Sequence, residues 1–423
     1  MTQKKIWIYL GLCALGILFP VAAISAGWNS IAGNRIESKS DAFEPQETPS
    51  ATSAGAQAAA ASAEGDGSHD FDFEVGTWTI HLKRRLHPLT GSNDWVEFDG
   101  TSMTRKIWDR GSQIEQFETD SPAGGHIEGL TLRVYNPESH EWRLYWANSR
   151  IGILDPAQVG KFKDGSGEFY TQDTINGKTI LIRFWWSGIT PNSAHFEQSF
   201  SDDGGKTWEV NWITDQTRIS QEAFNAAEQR YTLAAEKSVA SDSTGPNGQH
   251  DFDPLFGSWK YDLKRRVNPM TGSNTWVDLS GTGACYKIWD GRAQLDTFEA
   301  DASTGHIEGL TLRLYDPTEH VWRLYWANSR IGILDPPQVG KFTDGHGDFY
   351  TQDKVNGKTV LVRYDWTNLT TNSPHFEQSF SDDGGKTWEV NWITNQTRVG
   401  DAAKMGTESR APVCARSENK SPS

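Results

Sequence analysis

The chain has 423 residues, enough for two ordinary domains that each bury a core. Its formal charge of −15 argues against nucleic acid and anionic membrane surfaces as partners, because phosphates repel such a protein. The 19 tryptophans and 40 glycines, with recurrent Asn-Gly and Asp-Gly pairs, favour short strands and tight turns over helices.

At the amino terminus Lys4 and Lys5 precede the apolar run IWIYLGLCALGILFPVAAI and the small residues SAG, the pattern of an export signal over residues 1–27. Cleavage after Ser25 or Ala26 suits a signal peptidase, and Pro20 breaks the run near its end. The run also approaches the roughly 20 residues that span a bilayer, so an uncleaved anchor helix is the alternative. Either form places the remainder outside the cytoplasm, as a periplasmic, secreted or membrane-anchored protein, with the anchor as the one membrane contact expected. Residues 28–68, rich in Ala, Ser, Gly and Glu, bury too little apolar area to offset their ordering entropy and read as a disordered tether.

A tandem duplication dominates the rest. HDFDFEVGTW from His69 returns as HDFDPLFGSW from His250, and WITDQTR ending at Arg218 returns as WITNQTR ending at Arg398. Between His126 and Arg218, and between His306 and Arg398, about three quarters of positions are identical, which makes one fold present twice. Within each copy, strand-like runs such as TWTIHLKRR, EGLTLRVY, EWRLYWA and TILIRFWW alternate with turn signals such as NPES, DGSG and NG. TRKIW reads as a continuation of the strand before it.

About ten consecutive antiparallel strands in roughly 150 residues, with no helical spacer, predict an all-β fold of two tandem up-and-down barrels. Residues 69–219 form the first barrel and 250–400 the second. A helical linker spans 220–249, with Phe224, Ala227, Tyr231 and Ala234 on one face turned to the first barrel. Residues 401–423 are a disordered tail. Cys285 and Cys414 either bridge or stay as free thiols; Thr104 stands where Cys285 does in copy one, so no fold-wide disulfide framework exists.

Each copy opens its first strand with Gly-x-Trp, at Trp78 and Trp259, and closes its last with Arg218 and Arg398. This resembles the calycin pattern of lipocalins and fatty-acid-binding proteins, and the whole copy is similar to an uncharacterised bacterial lipocalin-like family. The resemblance implies that the Trp closes the barrel floor, that the Arg stacks over it, and that a cavity lies inside. The segment SDDGGKTW at Ser201 and Ser381 also resembles the Asp-box of sialidases and other β-propellers. A propeller repeats its sheet unit every 40–50 residues, whereas this motif returns once, so it reads as a closing hairpin.

His-x-Glu occurs twice per copy, as His126/Glu128, His195/Glu197, His306/Glu308 and His375/Glu377. Residues two apart on a strand share a face. His126 and Glu128 share theirs with Leu130, Leu132 and Val134, which points them inward near a mouth; His195 and Glu197 lie opposite Phe196 and Phe200, which points them to solvent. The identical block WRLYWANSRIGILDP supplies ligand-binding candidates Tyr145, Trp146, Asn148 and Arg150, repeated as Tyr325, Trp326, Asn328 and Arg330. An apolar wall ending in polar groups orients an amphipathic ligand. Arg183 and Arg363 are further options for an anionic end.

These features predict an exported binder of a small apolar or amphipathic ligand. One alternative is a lyase, hydratase or isomerase with a His–Glu acid–base pair. The others are a haem barrel resembling nitrobindin, for which either His126 or His195 fits, and a structural pair of barrels that pack together or bind a partner. No pattern singles out a metal or cofactor, and Gly-x-Ser-x-Gly and phosphate-cradling loops are missing.

Overall fold

A computed structural model describes residues 65–108, 110–175, 177–226, 247–302 and 305–400. The export signal, nearly all of the tether, residues 227–246 of the linker and the tail lie outside them, as does Cys414. Barrel 1 comprises β1 (Gly76–Arg85), β2 (Trp95–Trp108), β3 (Ser112–Ser121), β4 (Gly125–Asn136), β5 (Glu141–Asn148), β6 (Gln158–Lys163), β7 (Ser166–Ile175), β8 (Lys178–Ser187), β9 (Ser193–Ser201) and β10 (Glu209–Ile219). Barrel 2 comprises β11 (Gly257–Arg266), β12 (Trp276–Ile288), β13 (Ala293–Ala302), β14 (Gly305–Asp316), β15 (Val321–Asn328), β16 (Gln338–Thr343), β17 (His346–Val355), β18 (Lys358–Thr367), β19 (His375–Ser381) and β20 (Glu389–Gly400). Each strand pairs with its sequence neighbours, and the last closes on the first. TRKIW indeed continues β2. Residues 221–226 are helical, with Phe224 buried.

The floor is closed by one arginine and one tryptophan per barrel. The Arg218 guanidinium sits 4.1 Å from the Trp78 ring centre, and Arg398 sits 4.2 Å from that of Trp259. Arg218 also donates to the carbonyls of Val75 (2.7 Å), Phe73 (2.5 Å) and Pro191 (2.7 Å), tying the last strand to the segment before the first. Stacking on indole adds to these charge-assisted bonds. Gly76 makes room: its φ is +130°, and a Cβ there would fall 2.3 Å from Arg218 Nη1.

The opposite end of each barrel is pinned by the SDDGGKTW hairpin. Asp203 Oδ1 accepts the N–H groups of Lys206 and Thr207, both at 3.0 Å, and Ser201 Oγ accepts that of Gly205 at 2.8 Å. Trp208 Nε1 folds back to the Gly205 carbonyl at 3.1 Å, and the second copy repeats the set. These bonds hold the Asp203 and Asp383 carboxyls well below the usual range, with the backbone N–H of Thr207 or Thr387 the largest cause.

Cross-strand partners project to one side of a sheet. The buried Trp78 faces Ser102, Ser102 faces Phe117, Phe117 faces Gly129, and Gly129 faces Asn148. The inner side of β4 is therefore Ile127, Gly129, Thr131 and Arg133. His126, Glu128, Leu130, Leu132 and Val134 point outward, which corrects the inward placement expected from their apolar neighbours. His306 and Glu308 follow the same register in β14. The reason is a second apolar surface: Leu130, Leu132 and Val134 are wholly buried in one cluster with Leu310, Leu312 and Leu314 of barrel 2. Burying each such side chain contributes roughly 1.5–3 kcal/mol.

This seam is self-complementary. The N–H of Leu154 donates to Tyr325 Oη at 3.3 Å, and that of Leu334 donates to Tyr145 Oη at 3.4 Å. Gly152 lies against the Tyr315 backbone just as Gly332 lies against that of Tyr135; a Cβ at either would fall 1.8 Å from the opposing carbonyl oxygen. These two kinds of contact are returned by their counterparts, as in a two-fold dimer, whereas the Glu128–Arg292 ion pair is one-sided, because barrel 1 has Gly111 where Arg292 stands. Replacing Gly152 and Gly332 together with Ala is expected to force the barrels apart. Small-angle X-ray scattering would then show a larger radius of gyration, while far-UV circular dichroism keeps its strand signature.

Candidate functional site

Most of the sequence-derived candidates lie outside the barrels, each engaged structurally. His126 Nδ1 pairs with Asp120 Oδ1 at 3.0 Å and His306 with Asp301 at 2.9 Å, while Glu128 holds Arg292 of barrel 2 at 2.5 Å. Tyr145 and Tyr325 face the seam. Arg150 donates to the carbonyls of Gly124 and His126, and Arg330 to that of His306, so both tie down neighbouring hairpins rather than face a cavity. Arg183 and Arg363 lie on the outer wall, 4.9 Å from the rings of Trp208 and Trp388. An anionic end oriented by these arginines is therefore not what the interior offers.

His195 and Glu197 face outward, as strand alternation indicated. The His195 Nδ1 is 2.7 Å from Asp215 and its Nε2 3.2 Å from Glu197; His375 repeats this with Asn395 (2.8 Å) and Glu377 (3.1 Å). Burial works against the imidazolium, but the Asp215 and Glu197 hydrogen bonds outweigh it and raise the His195 pKa.

Trp146 and Asn148, with Trp326 and Asn328, do project inward. Asn148 Oδ1 is occupied by the Arg150 N–H at 3.1 Å, which fixes the turn leaving β5. Trp146 lies across Gly129, where a Cβ would fall 2.2 Å from its ring. Near the floor the interior is filled. Phe71, Trp142, Phe169 and Trp186 stack edge to face around Arg133, which is 1% exposed. Arg133 bonds Glu115 at 2.5 Å, and Glu115 also accepts from Ser102. Glu74, wholly buried, accepts from Trp186 Nε1 at 2.9 Å, and desolvation pushes its carboxyl up. Barrel 2 keeps Arg313 with Asp296 (2.8 Å) and adds Tyr261 to that carboxylate, but has Leu255 where Glu74 stands. Cys285 is buried beside this pair, and desolvation raises its thiol pKa far above the ordinary value.

The chemistry left unassigned by the sequence lies nearer the mouth. Asp155, in the loop after β5, donates its N–H to the Trp146 carbonyl at 2.8 Å, and Asp335 does the same to Trp326. Asp173 on β7 stands opposite the buried Ile180 and so faces inward; Asp353 faces Val360. Desolvation, then repulsion from Asp173, pushes the Asp155 carboxyl up to about 7. Desolvation and Asp353 do the same for Asp335, also to about 7. Tyr364 sits inside barrel 2 within the field of both aspartates, and burial first, then their charges, raises its pKa. Each mouth thus combines two carboxylates with an indole wall. A cleft of about 230 Å³ opens at the barrel 2 rim, between Met270, Gly272 and the closing hairpin at Phe380, Asp382 and Trp388. The signals for this pair were Asp155 at the end of the identical block and Asp173 in FYTQD, identical in both copies and in phase with the inward Phe169.

A carboxyl whose pKa rises on folding binds more protons in the native state between its two pKa values. Its stabilising contribution is fully present below the unfolded value of 3.8 and is lost as pH rises toward about 7. Urea unfolding of the wild type should therefore weaken across that window. Asp155→Asn combined with Asp335→Asn should flatten the decline, leaving a residual slope from Glu74 and the other carboxyls that burial raises, Asp70, Asp251 and Asp253.

No family model matches the chain, and no curated protein matches it. Among solved structures it is similar to an S-type phycobiliprotein lyase from Guillardia theta, with 15% identity over 36% of this chain and 91% of that one and a TM-score of 0.26. It is also similar to a protein of unknown function from the DUF3598 family of Nostoc punctiforme, with 10% identity over 79% and 99% and a TM-score of 0.24. A double mutant of transferrin binding protein B from Haemophilus parasuis follows, with 8% identity over 76% and 75% and a TM-score of 0.15. The fold rests on the chain's own topology: two closed ten-stranded antiparallel barrels.

Proposed function

We propose that each barrel is a calycin-like binding module that takes a small amphipathic ligand at its mouth, in a protein exported from the cytoplasm. The apolar part lies against Trp146 or Trp326. The polar end donates hydrogen bonds, or carries positive charge, toward Asp155 and Asp173 or Asp335 and Asp353. The observation that carries this reading is one desolvated carboxyl in each mouth, Asp155 or Asp335, with a second inward-facing carboxylate, Asp173 or Asp353, near it, since an acceptor drawn out of water calls for a donor. The arginines that would have selected an anion are committed elsewhere.

A second reading rests on the same pair. Asp155 protonated near neutrality beside Asp173 is the arrangement of a general acid and base, and this replaces the His–Glu pairs, which face outward.

Tryptophan fluorescence titration with a long-chain alkylamine and the fatty acid of equal length tests the proposal. The amine is expected to bind and the acid to bind far more weakly. Asp173→Asn with Asp353→Asn should weaken the amine about tenfold, the worth of a charge-assisted hydrogen bond. Preference for the fatty acid, or equal amine binding by the variant, would sink it. Native mass spectrometry of protein from its source supplies the natural ligand, and a ligand released chemically altered would favour the acid–base reading.

A further inference from the structure

The two copies differ little along β7–β8 and β17–β18, yet several outer-wall differences converge on one patch. Ser166, Glu168 and Trp185 of barrel 1 are replaced by His346, Asp348 and Asp365 in barrel 2. His346 and Asp348 alternate with the buried Gly347 and Phe349, and Asp365 with the buried Tyr364 and Trp366, so all three project outward.

Register makes the change consequential. Asp348 stands directly opposite Asp365, and Asp365 directly opposite Glu377. Three carboxylates therefore occupy one level of three adjacent strands. In barrel 1 the same level reads Glu168, Trp185, Glu197, with the indole separating the two charges. Like charges directly opposite on neighbouring strands destabilise a sheet, so barrel 2 has gained a repulsion that a bound cation would relieve. Arg363 Nη2, 4.0 Å from Asp365 Oδ2, offsets part of it, but that guanidinium is stacked on Trp388. His375 bonds Glu377 and leaves the two aspartates to His346.

The three side chains already converge. His346 Nε2 lies 2.9 Å from Asp365 Oδ1 and 3.7 Å from Asp348 Oδ2, and one ligand atom of each lies within 4.8 Å of the other two. We propose that His346, Asp348 and Asp365 bind one divalent transition ion of the zinc class on the outer wall of barrel 2. One imidazole nitrogen with two carboxylate oxygens suits such an ion better than calcium or magnesium, which favour all-oxygen shells, or a soft thiophilic ion. Both strands are held rigid by the ladder, so the ligands need only rotamer adjustment. His346 is 48% exposed, leaving the remaining coordination positions to water.

Titration of the full chain with Co²⁺, followed by its visible ligand-field band, and with Zn²⁺ by calorimetry tests the site. One equivalent per chain is expected. His346→Ser and Asp365→Asn, with folding verified by circular dichroism, should each weaken binding about tenfold or more. His195→Ala, which removes the outer-wall histidine of barrel 1 that pairs with Asp215 and Glu197, should titrate as the wild type. The proposal fails if the wild type shows no saturable binding or if His346→Ser binds as well as wild type. Loss of the equivalent in His195→Ala would also overturn it.

Discussion

The outward face of β4 and its counterpart β14 decides how everything else is arranged. Leu130, Leu132 and Val134 would make a single barrel insoluble if left to water, and they are satisfied by Leu310, Leu312 and Leu314. Because the two surfaces are nearly the same surface, most residues that serve one side serve the other, the Glu128–Arg292 pair excepted. That accounts for the identity of WRLYWANSRIGILDP in both copies. One face of β5 looks into the barrel through Trp142, Leu144 and Trp146. Its Tyr145 and the following Gly152 and Leu154 meet the seam.

With the apolar stripe of β4 committed to the seam, the inner face carries polar residues, and the barrels hold ion pairs in their lower halves. Arg133 with Glu115, and Arg313 with Asp296, are buried and surrounded by aromatic rings. Removing one partner of such a pair strands the other, so these groups specify the interior more than they stabilise it. They also fill the space near the floor, so the ligand proposed above would have only the mouth to enter.

The barrel count, the strand continuity of β2, the floor pair and the closing hairpin were legible in the sequence because each rests on local pattern or on repetition. The facing of His195 and Glu197 was also legible, since Phe196 and Phe200 had only one core to enter. The facing of His126 and Glu128 was not. Alternation tells which residues share a side, but an apolar side reads the same whether it meets a barrel interior or a second barrel. Asp155 and Asp173 stayed hidden for a different reason: they lie 18 residues apart in the sequence and come near each other only once the loop after β5 folds back over the end of β7. The metal-ligating character of His346, Asp348 and Asp365 likewise depends on a register that joins two strands.

The loop after β5 brings two separate matters into adjacent residues. Leu154 touches the second barrel through Tyr325, and Asp155, its immediate neighbour, belongs to the first mouth. Leu334 and Asp335 repeat the arrangement from the other side. Each of these leucines bears on a tyrosine of the opposite barrel that immediately precedes an inward-facing indole, Tyr325 before Trp326 and Tyr145 before Trp146. The two mouths are therefore joined through the seam by neighbouring residues of one loop in each barrel, so that a shift in either loop is felt at the other barrel's strand.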